Sequence, residues 1–162
     1  MSKQQMEKTI LGIHSNIAGD NEGFTGGHAW ISVTRSGTTT VYGLWPDEHP
    51  RTLDNGDGTD IRVGLEGTKF PRASRFYTLN MAQKIKLDKG LKAIVVWRYT
   101  NTCASWASEL LDDVTGVAID ADDWSGFETP RELGKHILEL EKRKGPSSRV
   151  SPATPEMRGT SW

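Results

Sequence analysis

Apolar and polar side chains alternate along residues 28–34: Ala29, Ile31 and Val33 face one way, and Trp30, Ser32 and Thr34 the other. That period of two predicts a strand. After Arg35-Ser36-Gly37-Thr38 the chain returns through a second β-rich run at 39–45, so the two segments predict a hairpin. Short runs at 9–14, 61–65 and 75–79 predict further strands, and 92–99 reads either as one more or as an extension of the segment before it. Helical spacing begins at Asn101-Thr102-Cys103, where Cys103, Trp106, Ala107, Leu110 and Leu111 follow i, i+3, i+4, i+7, i+8. Asn101 or Thr102 supplies the N-cap, and Gly116 the stop. Asn80 predicts the cap of another helix over 81–89 that stops at Gly90. Thr129, Pro130 and Glu132 form a helix-start pattern with a capping box, followed by Leu133, Ile137, Leu138 and Leu140 on one side through about residue 144.

Between these elements, residues 15–27 and 46–75 are dense in Gly, Asn, Asp and Pro, predicting loops and an irregular excursion. The acidic stretch 54–60 lacks the register and the closing acid of a calcium loop and is read as a turn. From Gly145 onward Ser, Pro and Arg dominate without periodicity, predicting one domain over 1–144 and a flexible tail over 145–162. The fold expected is α+β, a small antiparallel sheet with a cysteine-bearing helix packed on it.

At 162 residues the chain can bury a real core, and its net charge of −1 with interspersed signs excludes a nucleic-acid footprint. A single cysteine forbids an internal disulfide and a cysteine-rich zinc site, so no metal or other cofactor is expected. The first eight residues are polar, with no apolar run of signal-peptide or membrane-span length after them. A protein made in the cytoplasm, without membrane insertion, is the expectation.

Cys103 at the head of a helix is the candidate nucleophile, because unpaired N–H groups there stabilise a thiolate. The same spacing also suits a small buried hydrophobe beside Trp106. A base distinguishes the two, and the chain has four histidines: His14, His28, His49 and His136. His28 stands apart, since Gly26-Gly27-His28-Ala29-Trp30-Ile31 places it at a strand start behind two glycines that leave room for a close approach.

Thr102-Cys103-Ala104-Ser105-Trp106-Ala107 resembles the D-C-S-G-F-V type motif of NlpC-type cell-wall cysteine peptidases, and Gly27-His28-Ala29-Trp30-Ile31 is similar to their G-H-V-G-I strand. Here the histidine precedes the cysteine, which resembles the circularly permuted branch of the papain-like group, and Thr102 stands where the family has an acid. The resemblance implies a permuted papain-like fold and a cysteine amidase or peptidase acting on the peptide stem of peptidoglycan. It also resembles amidase effectors that type VI secretion delivers into a neighbour's periplasm. That implies an antibacterial toxin with a cognate immunity protein and a secretion-apparatus component as partners.

The family's third group comes from the strand after the histidine strand. A turn at Ser36-Gly37 sets His28 opposite Trp45, and the first polar side chain beyond is Asp47. Glu48 and His49 lie one or two residues of register away, and His14 is a further alternative. Asn101 is a candidate for the oxyanion site, and Trp30 and Trp45 for a substrate groove. An acyltransferase with the same thioester, and a binding domain with a buried Cys103, are the competing readings.

Overall fold

A computed structural model describes residues 8–18, 27–46, 58–67, 71–98, 100–121, 128–145 and 147. Its strands are β1 (Thr9–Ser15), β2 (Ala29–Arg35), β3 (Thr38–Leu44), β4 (Ile61–Val63) and β5 (Ala73–Leu79). The helices are α1 (Met81–Leu91), α2 (Cys103–Thr115) and α3 (Pro130–Lys144). All strand pairs are antiparallel in one sheet of order β4-β3-β2-β1-β5. The fold is α+β, with the cysteine on a packed helix as expected.

The β2–β3 hairpin follows from its turn. Ser36 (φ 50°) and Gly37 (φ 78°) are both left-handed, which matches the strand twist and fixes the register Arg35↔Thr38 through Ile31↔Tyr42. One sheet face carries Leu11, Ile13, Ala29, Ile31 and Val33, which form the core with Trp106, Ala107, Leu110, Leu111, Leu133 and Ile137 from α2 and α3. The other carries His14, Trp30, Ser32 and Val41, and these are buried as well.

Caps set the helix starts. Thr102 is the N-cap of α2, its side chain accepting from Ser105 N–H while Ser105 Oγ accepts from Thr102 N–H, and left-handed Gly116 (φ 76°) ends the helix as predicted. Asn80 caps α1 in a full box with Gln83. Gly90, predicted as the stop, instead lies inside α1, where a side chain would run into Leu110 of α2; its smallness serves helix–helix approach. At α3 only half of the predicted box forms, because Thr129 N–H bonds Ala121 O at 2.9 Å.

The predicted strand at 92–99 is the clearest departure. Residues 94–97 make no ladder of their own: Val95 N–H bonds Thr59 Oγ1 at 3.1 Å and Trp97 N–H bonds Asp60 Oδ2 at 2.7 Å. Ile94 and Val96 point to solvent. Side chains ahead of β4, together with Asp60 N–H donating to Val95 O at 2.7 Å, hold this backbone without a strand ladder. Gly145 and Ser147, the described residues of the predicted tail, are bonded to β5 and α3. Arg75 Nη1 donates to Gly145 O at 3.0 Å, Phe76 N–H to Ser147 Oγ at 3.0 Å, and Ser147 Oγ to Glu141 Oε1 at 2.6 Å. Residues 148–162 lie outside the described residues.

Candidate active site

Three side chains from distant parts of the sequence meet where the head of α2 touches the start of β2. Cys103 is the first residue of α2, whose first turn carries no acid to offset the unpaired N–H groups. His28 directly precedes β2, and Asn16 grips its backbone from both sides: His28 N–H donates to Asn16 Oδ1 at 2.7 Å, and Asn16 N–H to His28 O at 3.1 Å. Glu66 lies in the turn after β4, which crosses back over β3.

The imidazole has two polar partners. His28 Nε2 lies 2.6 Å from Glu66 Oε2, and the ring also shares a side-chain hydrogen bond with the Cys103 thiol. Burial alone pushes the His28 pKa down, but the thiolate charge, its hydrogen bond and the Glu66 carboxylate together raise it to about 9. Burial likewise pushes the Cys103 thiol up. The His28 charge and hydrogen bond, with backbone hydrogen bonds from Ala29 and Ala104, outweigh it and hold the thiol below its ordinary value. Both shifts favour a thiolate facing an imidazolium.

Glu66 is 1% exposed, and Oε2 accepts from both His28 Nε2 and Trp45 Nε1, the latter at 2.7 Å. Gly43 of β3 makes the space, for a Cβ there would overlap Glu66 Oε2 and lie 2.8 Å from His28 Nε2. A thiol, an imidazole and a carboxylate linked in series can act as nucleophile, base and orienting group.

Trp45 stands beside His28 as the hairpin register predicts, with ring centroids 4.1 Å apart. Asp47, Glu48 and His49 lie outside the described residues, and the carboxylate that the described residues place on His28 is Glu66. No local signal marks Glu66 in the sequence; the nearest is Gly43, a glycine inside a strand. Trp30 and Trp45 are 2% and 3% exposed, with Trp30 stacked on His14 at 5.3 Å and on His28 at 6.0 Å, so both brace the imidazole rather than line an open groove. Asn101 is held through its main chain to Arg98 (2.9 and 3.1 Å), and its side chain makes no hydrogen bond within the described residues, two positions before the thiol.

His14 is not in the site. Its Nδ1 and Nε2 meet Ser74 Oγ at 2.7 Å and Ser32 Oγ at 2.8 Å, and burial holds its pKa at about 3, so it is a neutral structural group. His136 bonds Asp120 O on the surface side of α3. Among the described residues, no cluster of His, Cys, Asp and Glu is suited to a metal, and no helix is long and apolar enough to cross a membrane. Comparison with protein-family models, curated proteins and solved structures finds no match to this chain.

Proposed function

We propose that this protein is a cysteine hydrolase that cleaves an amide bond in the peptide stem of peptidoglycan through a thioester. The observation that carries the reading is the contact chain Cys103–His28–Glu66, a thiol and a carboxylate both hydrogen-bonded to one buried imidazole. The Cys103 thiolate attacks the amide carbonyl, and the backbone N–H of Cys103 at the head of α2 faces the resulting oxyanion. His28, protonated, gives its proton to the leaving amine as the C–N bond breaks, which leaves an acyl thioester on Cys103. Water, deprotonated by His28, then adds to the thioester, releasing the carboxylic acid and restoring the thiolate–imidazolium pair. The peptidoglycan substrate, an antibacterial role, type VI delivery into a neighbour's periplasm and a cognate immunity protein rest on the resemblance of the Cys103 and His28 motifs.

Burial of the thiol, 7% exposed, favours one other reading, a binding domain in which Cys103 is a core residue. Digestion of purified peptidoglycan by wild type, Cys103→Ala and His28→Ala, with released fragments weighed by mass spectrometry, separates them. Fragments from wild type alone are expected and identify the bond. No fragments, together with a thiol that alkylates only after unfolding, would establish the binding domain.

A further inference from the structure

We propose that Trp45 is a positioning residue for the Cys103–His28–Glu66 ensemble: its indole N–H fixes the plane of the Glu66 carboxylate while its ring supports the His28 imidazole. The inference rests on the reactive pair of the proposed hydrolase, though not on its substrate.

Glu66 is buried and has one donor from the imidazole, on Oε2, while Oε1 has no hydrogen-bond partner among the described residues. Rotation about the last torsion of a glutamate is soft, with broad minima, so a single donor on one oxygen does not set the carboxylate plane. A second donor on the same oxygen does, and Trp45 Nε1–H supplies it at 2.7 Å. The indole is itself fixed from outside the site: Trp45 N–H donates to Asp60 O at 3.0 Å, just ahead of β4, so the β3–β4 edge sets the ring's place. Its face then lies against His28 at a centroid distance of 4.1 Å and a tilt of 38°. An aromatic face there favours the protonated imidazole. One residue thus aligns the carboxylate with Nε2 and limits the swing of the ring that must reach the thiol. The titratable groups that the described residues place on His28 are Cys103 from α2 and Glu66 from the turn after β4; Trp30, from β2, adds no charge.

The test is a pH titration of the thiolate's ultraviolet absorbance, with Cys103→Ala as the blank, on wild type and Trp45→Phe, with folding checked by circular dichroism. Phenylalanine keeps an aromatic face and removes the N–H. Wild type is expected to titrate well below the ordinary thiol value of about 8.5, and Trp45→Phe about one pH unit higher, roughly a tenfold loss of thiolate at a fixed pH below both midpoints. A folded Trp45→Phe with the wild-type midpoint overturns the role of Trp45 and leaves the reactive pair standing. An ordinary midpoint in wild type overturns both. If Trp45→Phe does not fold, the six tryptophans of ¹⁵N-labelled protein serve instead. One indole N–H resonance must shift strongly on Glu66→Gln, and a spectrum in which none moves overturns the proposal.

Discussion

Gly43→Ala adds one carbon to β3, and its consequence follows from where that carbon must sit. It would overlap Glu66 Oε2, lie 3.0 Å from Glu66 Cδ and approach His28 Nε2 to 2.8 Å, so the carboxylate has to withdraw from the imidazole. Glu66 is 1% exposed, and withdrawal does not take it into water. Crowding alone in a packed site costs about 1–3 kcal/mol. A buried carboxylate that loses its charged partner costs about 3–5 kcal/mol, and the lost pairing therefore outweighs the crowding. Against a total stability of about 5–15 kcal/mol, Gly43→Ala should lower the melting temperature sharply at neutral pH. Where the protein stays folded, the misaligned base should lower hydrolysis by about 10²–10⁴-fold. Thr38→Ala, at an exposed position of the same hairpin, serves as the control and should change stability by about 0.5 kcal/mol or less. Gly43→Ala combined with Glu66→Ala removes the collision with the carboxylate, leaving only the His28 contact, and should be more stable than the two separate losses imply. A Gly43→Ala protein that melts with wild type and keeps its thiol midpoint would refute the seating of Glu66 over β3.

Two further outcomes concern pH. The His28 pKa is raised, so the stabilisation it brings is complete below 6.5 and is lost as pH rises through about 9; the Cys103 pKa is lowered, so its stabilisation is present above the ordinary thiol value and is lost as pH falls through the lowered one. Cys103 should accordingly titrate below an ordinary thiol, and His28→Ala should move its titration upward; a midpoint indifferent to His28→Ala excludes the pair. His14 acts in the acid range, its pKa held at about 3, so its contribution is complete above 6.5 and lost as pH falls toward about 3. At about 1.4 kcal/mol per pH unit that loss is on the order of 5 kcal/mol at the acid limit. Melting temperatures measured from pH 6.5 downward should fall steeply in wild type and more gently in His14→Gln, and parallel curves would assign acid unfolding to other groups.

What the sequence made legible was whatever short-range chemistry decides. Ser36-Gly37 fixed the hairpin and thereby set Trp45 against His28, while Asn80, Thr102 and Thr129 each capped a helix as their side chains required. The apolar run at 92–99 misled because periodicity reports burial preference, not a hydrogen-bonding partner; Thr59 and Asp60 meet that backbone with side chains. Glu66 was illegible for a different reason. Following β3 past Trp45 led to Asp47, which lies outside the described residues; the carboxylate that the described residues place on His28 arrives from the turn after β4, and that strand's pairing with β3 closes a loop whose ends no local rule joins. Gly43 and Gly90 share a lesson: each is small because another element's side chain occupies the space a Cβ would take.

Placing base and nucleophile on separate elements makes reactivity a product of assembly. The hairpin can set His28 beside Trp45 from neighbouring residues alone, but the larger influences that lower the Cys103 pKa come from His28 and Ala29, far away in the sequence, and only docking of α2 on the sheet brings them within reach. An unfolded or partly folded chain therefore carries an ordinary thiol. The rate at which Cys103 gains its reactivity during refolding is a clock for that docking step, readable by pulsed alkylation without any knowledge of the substrate.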